Sequence, residues 1–303
     1  MSRIHEALKK AAEERSARLS SGIDADLIQP VPIAPEREES FQTASQTLFE
    51  PNEAVILPYE GLIKKCVRTT FHIDPRLSVF VGQDSGSLGA ERFRTLRSRL
   101  YQIASAQMLR KLVITSTVPA EGKTLVAANL AQSIVQQPER RVLLIDADLR
   151  ASRLHLAFGA QRSPGLADYL RGEADAYSVI QKGEDSNLCL IAGGREVLNP
   201  SELLLNDRLE KLLDLVTPMF DWVILDAPPA LPVHDASIIA DLCDGVLFVV
   251  RAGETDSQVA AKVLEDFKQK NLVGVVLNRV ERGDGYGGYY YSYPSEESKI
   301  RKS

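Results

Sequence analysis

Short apolar runs alternate with stretches of helical periodicity along most of the chain. Each run is apolar on both faces of a strand, as is typical of a parallel sheet covered by helices. The predicted strands are Leu112–Thr115, Val142–Ile145, Leu188–Ile191, Trp222–Leu225, Val246–Val250 and Val273–Leu277. A helix is predicted over residues 90–107, where Phe93, Leu96, Leu100 and Ile103 share one face. The alternation predicts an α/β domain with a doubly wound, mostly parallel sheet over residues 78–282.

The segments on either side of this domain have a different character. Residues 1–19 have the apolar spacing of a short amphipathic helix, which is a candidate docking helix for a partner or simply a surface helix. Residues 20–77 contain scattered prolines and acidic residues, which predicts a largely extended linker. Residues 283–303 contain five of the nine tyrosines among several glycines, which predicts a flexible, exposed tail.

The composition excludes several classes of protein. The 303 residues are 44% hydrophobic and 25% charged, as in an ordinary globular protein, and the net charge of −5 predicts no nucleic-acid partner. The three cysteines lie far apart, which argues against a disulfide framework or a zinc site. Because the chain has no apolar run of about 20 residues and no secretory signal, we expect a cytoplasmic protein.

A phosphate-binding loop is predicted directly after the first long strand. The strand Leu112–Thr115 leads into the tetrapeptide Glu121-Gly122-Lys123-Thr124, and a helix follows. Backbone N–H groups of such a loop bind phosphate oxygens, the lysine reaches the β- and γ-phosphates, and the threonine hydroxyl is a ligand for Mg²⁺. The full motif has a glycine five residues before Gly122, where this chain has Thr117.

Three carboxylates follow two other predicted strands. Asp146 and Asp148 come just after the run Val142–Ile145, and Asp226 follows the run Trp222–Leu225. Ligands of open parallel sheets bind outside the carboxyl ends of the strands, so these carboxylates are expected beside the phosphate loop. A single such aspartate is usually a turn or cap residue, whereas three beside a phosphate loop indicate a site for Mg²⁺ and a nucleotide.

These three segments together resemble a known family. Residues 116–124, 143–150 and 224–229 look like the Walker A, A′ and B motifs of the bacterial tyrosine kinases, the autokinases that control exopolysaccharide chain length. The resemblance spans about residues 85–293 and implies a P-loop NTPase fold of the MinD/ParA-like type, with ATP and Mg²⁺. Ala120 stands where the family usually has glycine, and we expect nucleotide binding to survive if φ is negative there.

The resemblance also implies roles for single residues. The predicted nucleotide contacts are Pro119, Ala120, Glu121, Gly122, Lys123, Thr124 and Leu125, with Asn278 beside the adenine. The predicted catalytic residues are Lys123, Asp146, Asp148 and Asp226, and the predicted metal ligands are Thr124, Asp148 and Asp226. Asp146 is the candidate that orients the tyrosine hydroxyl and accepts its proton, although the division of roles between Asp146 and Asp148 stays open.

Two further motifs fit the same family. Glu91, Arg94 and Arg97 resemble its self-association motif, ExxRxxR, and predict a ring-like homo-oligomer. The alternative is a solvated helix face with a Glu–Arg pair. Tyr286, Tyr289, Tyr290, Tyr291 and Tyr293 resemble its autophosphorylated cluster. The alternative is an aromatic tail that stacks on single-stranded nucleic acid, but no basic residue lies between these tyrosines.

The resemblance finally implies partners and a setting. We expect a separate transmembrane chain-length-determinant activator that brings the chain to the inner membrane, a phosphotyrosine phosphatase, and a role in exopolysaccharide or capsule polymerisation and export. One alternative is a ParA/MinD-like positioning ATPase, but those proteins have a second lysine where this chain has Val118. The other is a non-catalytic, nucleotide-bound scaffold of a polysaccharide export complex.

Overall fold

The computed structural model of the chain describes residues 59–81, 87–184, 186–231 and 233–280, and these form one eight-stranded sheet with helices on both faces. The strands are β1 (Val67–Thr69), β2 (Lys111–Ser116), β3 (Val142–Asp146), β4 (Ile180–Gly183), β5 (Leu188–Ile191), β6 (Trp222–Asp226), β7 (Gly245–Arg251) and β8 (Leu272–Asn278). Their order in the sheet is β1-β4-β5-β3-β6-β2-β7-β8. Within the described residues, all neighbours are parallel except β4 and β5. The predicted mostly parallel α/β fold is therefore confirmed.

The helices connect these strands and cover both faces of the sheet. They are α1 (Tyr59–Lys65), α2 (Leu88–Ala106), α3 (Lys123–Val135), α4 (Leu154–Phe158), α5 (Leu166–Leu170), α6 (Pro200–Leu204), α7 (Arg208–Val216), α8 (Asp235–Asp241) and α9 (Ser257–Lys268). The predicted amphipathic helix over residues 90–107 corresponds to α2. Ser87 caps it, since the Ser87 hydroxyl accepts a hydrogen bond from the Ala90 N–H at 3.3 Å.

The sheet separates two hydrophobic clusters. In β2, Leu112 and Ile114 pack with α2, α3 and α4 on one face, whereas Val113 packs with α5, α7, α8 and α9 on the other. Because both faces are covered, the central strands are apolar at every position, and this is why they stand out in the sequence.

The order of the strands brings the predicted site together. β2 and β3 follow each other in the sequence but are not neighbours in the sheet, because β6 lies between them. Asp146 is then in register with Asp226, and Asp226 is in register with Ile114 near the end of β2. The carboxyl ends of three parallel strands therefore meet beside the segment that joins β2 to α3.

The structure corrects the predicted linker over residues 20–77. Its last part is ordered: α1 and β1 lie within it, and β1 pairs with β4 at one edge of the sheet. Tyr59 and Leu62 are buried in the core, which fixes α1. The predicted helix over residues 1–19, the remainder of the linker to residue 58, and the tyrosine-rich tail all lie outside the described residues.

Residues 71–81, which we call the strap, continue from β1 towards α2. The N–H groups of His72 and Asp74 donate to the carbonyls of Phe158 (2.8 Å) and Ala157 (3.0 Å) at the end of α4. The strap therefore belongs to the folded domain. None of the described helices is long and apolar enough to cross a membrane.

Candidate active site

The phosphate loop, residues 117–122, joins the end of β2 to the start of α3. Lys123 and Thr124 are the first residues of α3, so the loop amides lie at a helix N-terminus, where anions bind favourably. Gly122 has φ of +96°, and a Cβ atom there would come within 2.1 Å of Nδ2 of Asn278. Glycine is therefore required at Gly122 both by the backbone conformation and by the packing of Asn278 on the loop.

The backbone at Ala120 differs from the expectation. Its φ is +67°, in the left-handed region that favours glycine. The condition given above for nucleotide binding, a negative φ at Ala120, is therefore not met. The loop holds an L-residue in a conformation that costs about 1–2 kcal/mol, and the surrounding bonds keep it there.

Glu121 supplies several of these bonds. Its side chain is buried, its Oε2 accepts the Val118 N–H at 2.8 Å, and its Oε1 accepts the Arg251 N–H and the Thr255 hydroxyl. The Glu121 carbonyl oxygen accepts a hydrogen bond from Nδ2 of Asn278, with 2.7 Å between the two atoms. Glu121 thus ties the loop to the ends of β7 and β8, a shaping role that was not predicted.

Lys123 is the charged centre of the site. Its Nζ lies 2.6 Å from Oδ2 of Asp148 and 3.9 Å from Oδ1 of Asp226. Burial lowers the pKa of Lys123, but the carboxylates of Asp226 and Asp148 outweigh it and raise the pKa above its usual value. The ammonium is therefore charged and fixed in position at the start of α3.

The other two carboxylates each keep oxygens without partners. Oδ2 of Asp146 accepts the Ser152 hydroxyl (2.7 Å) and two backbone N–H groups, but Oδ1 of Asp146 has no hydrogen-bond partner among the described residues. Neither oxygen of Asp226 makes a hydrogen bond of ordinary geometry there, although the Thr124 hydroxyl lies close enough to lower its pKa. Burial raises the pKa of both carboxyl groups, and their proximity raises that of Asp146 further.

Such buried, unpartnered carboxylate oxygens suit a divalent cation. A cluster of three or more His, Cys, Asp or Glu side chains arranged as a metal site is not found in the described part of the chain. Mg²⁺ is usually bound by one or two carboxylates and completes its shell with water and substrate phosphates. Thr124, Asp148 and Asp226 are the predicted ligands, and the structure brings all three around Lys123.

A cavity of about 990 Å³ opens over the phosphate loop, large enough for a nucleotide. The predicted residues that line it are Pro119, Ala120, Gly122, Lys123, Thr124, Leu125, Asp148 and Asn278. Asp146 and Asp226 are buried next to it, and the Glu121 side chain points into the fold instead. The sequence-predicted site thus comes together around one cavity.

Other predicted residues lie elsewhere. Glu91 and Arg94 form an ion pair of 3.1 Å on the exposed side of α2, and the Arg97 guanidinium donates to the Ser133 carbonyl of α3. Their proposed role between subunits stays a prediction. The five tail tyrosines are outside the described residues.

Some residues of the site were not among the predicted site residues, although Arg150 ends the segment 143–150 that resembles the Walker A′ motif. Arg150 is held by the buried Asp235 (2.7 Å) and by Ser201 (3.0 Å), and both partners are distant in sequence. Arg76, in the strap, also lines the cavity. The sequence does contain one indication that the strap belongs to the domain. Pro75-Arg76 follows a stretch without proline, and a proline at that place is typical of a turn.

Comparison with known proteins shows the family of the chain. Residues 112–290 match the family model described as the CobQ/CobB/MinD/ParA nucleotide binding domain. The chain is 34% identical over 207 residues to tyrosine-protein kinase YwqD of Bacillus subtilis (strain 168), covering 67% of this chain and 87% of that protein. This chain belongs to the bacterial tyrosine-protein kinases.

Two other kinases show the extent of the match. The solved kinase domain of the Escherichia coli tyrosine kinase ETK superposes with a TM-score of 0.59 at 33% identity, covering 65% of this chain and 79% of that one. Tyrosine-protein kinase wzc of Salmonella typhimurium is 35% identical over 210 residues, or 68% of this chain. This kinase spans only 29% of the length of wzc.

Proposed function

We propose that this kinase transfers the γ-phosphoryl group of ATP to tyrosine hydroxyls, with its own tail cluster, Tyr286 to Tyr293, as an acceptor. The observation that supports this best is the position of Lys123, whose ammonium is held between Asp148 and Asp226 at the start of α3. Phosphoryl transfer depends mainly on positioning and charge neutralisation, and this arrangement supplies both.

The loop amides and Lys123 bind the phosphates of ATP, and Asn278 contacts the base. Thr124, Asp148 and Asp226 hold Mg²⁺, directly or through water. When bound, the metal neutralises charge on the β- and γ-phosphates. The oxygens of Asp226 support this assignment, because they are buried without a hydrogen-bond partner among the described residues and the Lys123 ammonium lies as far as 3.9 Å from Oδ1.

Asp146 is assigned to the acceptor. The tyrosine oxygen forms a bond to the γ-phosphorus while the bond from that phosphorus to the bridging oxygen of ADP breaks. The phenolic proton passes to Oδ1 of Asp146, directly or through one water, since this oxygen has no partner among the described residues. The bonds to Oδ2 of Asp146 hold the carboxylate in place during the transfer.

The wider role follows from the family resemblance. We propose that copies of the chain assemble through α2 into a ring in which neighbours phosphorylate one another. The proposed partners are a separate transmembrane activator, which brings the chain to the inner membrane, and a phosphotyrosine phosphatase. The proposed role is in exopolysaccharide polymerisation and export.

The first experiment maps phosphotyrosine by mass spectrometry after incubating the purified chain with Mg·ATP. Phosphate on residues 286–293 is expected, and the Lys123→Met variant should show at least a hundredfold less because it loses the charge on the phosphates. The control is Lys111→Met, at the opposite end of β2.

Three results would count against the proposal. Hydrolysis of ATP to ADP without phosphotyrosine would indicate a positioning ATPase. Nucleotide binding without turnover would indicate a scaffold. Equal phosphorylation by the Lys123→Met variant would show that another kinase contaminates the sample.

A further inference from the structure

We propose that Arg153 and Arg76 form a subsite that binds acidic residues next to the acceptor tyrosine. The kinase would then prefer tyrosines in acidic segments. This inference rests on the proposed function and adds a substrate class to it.

The cavity has two sides, set by the strand order. Asn278 and Arg279 line it beyond the end of β8, on one side of the phosphate loop. Arg150 and Arg153, from the turn after β3, line it on the other side together with the strap. If Asn278 contacts the base, the β3 side is where the γ-phosphate and the acceptor meet.

Three arginines, Arg76, Arg150 and Arg153, line the β3 side together with the carboxylates of Asp74 and Asp148. Arg150 is already committed, since the buried Asp235 binds its guanidinium at 2.7 Å. Nε and Nη2 of Arg76 both donate to the carboxylate of Asp74, yet the side chain is 88% exposed and Nη1 can donate to a second carboxylate. The exposed Arg153 guanidinium has no hydrogen bond or ion pair within the described parts of the chain, so its charge is available to a ligand.

Arg153 is also close to the proposed proton acceptor. Its backbone N–H donates to Oδ2 of Asp146 at 3.0 Å, which fixes the start of this side chain beside that carboxylate. Leu156 lines the same side and is 61% exposed, so an apolar surface lies next to the arginine. A tyrosine ring and an acidic neighbour in one peptide match this pair of surfaces.

The chain itself contains a segment of complementary charge. Residues 283–298 include Asp284, Glu296 and Glu297 on either side of the tyrosine cluster, whereas the basic residues of the tail, Arg282, Lys299, Arg301 and Lys302, lie outside this stretch. We therefore name this segment, from the same or a neighbouring copy, as the occupant of the subsite.

The test uses the full-length chain with synthetic acceptor peptides. One peptide has the sequence of residues 283–298, and its neutral counterpart carries Asp284→Asn, Glu296→Gln and Glu297→Gln. For the acidic peptide, Arg153→Gln and Arg76→Gln should each raise KM about threefold, and the double variant about tenfold, as expected for exposed ion pairs. Added salt should weaken the difference.

The controls separate this subsite from the nucleotide site. The neutral peptide should respond little to either substitution, and the KM of Mg·ATP should stay within twofold. Arg110→Gln, an exposed arginine at the opposite end of β2, should behave like the unchanged chain.

Three outcomes would overturn the subsite. A rise in the KM of Mg·ATP without an effect on the peptide would assign the arginines to the nucleotide. An equal response of the acidic and neutral peptides would remove the charge preference. Absence of any phosphotyrosine from the unchanged chain would overturn the proposed function and this subsite together, whereas phosphorylation without arginine dependence would overturn the subsite alone.

Discussion

Ala120 is an L-residue in a left-handed backbone conformation in the middle of the phosphate loop. The loop keeps it there because Glu121 and Asn278 fasten the following residue to β7 and β8. Among single residues, the motif spacing in the sequence predicts the roles of Lys123 and Gly122. It cannot mark the role of Glu121, because the partners of its side chain, Arg251 and Thr255, lie 130 and 134 positions away.

Ala120→Gly should therefore stabilise the protein. Glycine removes the strain of the left-handed conformation, but its greater freedom in the unfolded chain offsets part of this gain. The free energy of unfolding should therefore rise by about 0.5–1 kcal/mol. Urea unfolding measures this difference. Ala104→Gly, within α2, is the matched control and should lower the free energy of unfolding by about 1 kcal/mol. A destabilised Ala120→Gly variant would contradict the strain argument.

At the scale of elements, α3 organises both the phosphate loop and the strap. Nδ2 of Asn129 donates to the Leu77 carbonyl and its Oδ1 accepts the Val79 N–H, each at 2.8 Å. Gln132 accepts the Ser78 hydroxyl one turn further along. These buried amides hold the strap against α3, where it forms one wall of the cavity.

Asn129→Ala should lower the free energy of unfolding by about 2–4 kcal/mol, because two backbone groups of the strap lose their partners. Urea unfolding gives the value, and hydrogen exchange at Val79 should speed up. Gln136→Ala, on the exposed end of α3, should change stability by less than about 0.5 kcal/mol. Unchanged exchange at Val79 would show that other contacts hold the strap.

The sequence predicts the central elements well and the edge elements poorly. The six predicted strands are present because burial on both faces makes them continuously apolar. β1 (Val67–Thr69) and β4 (Ile180–Gly183) were missed, since they are short and contain Arg68, Gln181 and Lys182. Their pairing is decided by distant chain segments, which a local pattern does not contain.

At the scale of the whole molecule, α2 is the surface on which assembly is predicted to depend. Glu91 and Arg94 are paired on its outer side, while Leu100 on the inner side is buried against α3. The helix therefore presents a charged face outwards without exposing the core.

Glu91→Arg should reduce self-association, because it places a like charge beside Arg94 at the predicted contact. Sedimentation velocity across a range of protein concentrations measures the mass, and the variant should remain smaller than the unchanged chain. Glu265→Arg is the control, since Glu265 forms an exposed i,i+3 pair with Lys268 on α9, as Glu91 does with Arg94 on α2. Equal masses for the two variants would place the subunit contact elsewhere.

α3 is also a mechanical link between two parts of the molecule. It begins at Lys123 in the phosphate loop and, as a rod of about 20 Å, ends near Ser133, where Arg97 attaches α2 to it. If a bound phosphate displaced the loop, α3 would connect that displacement to α2, the helix that is predicted to join subunits. Binding free energies are reciprocal. If bound nucleotide strengthens subunit association by a given factor, association strengthens nucleotide binding by the same factor.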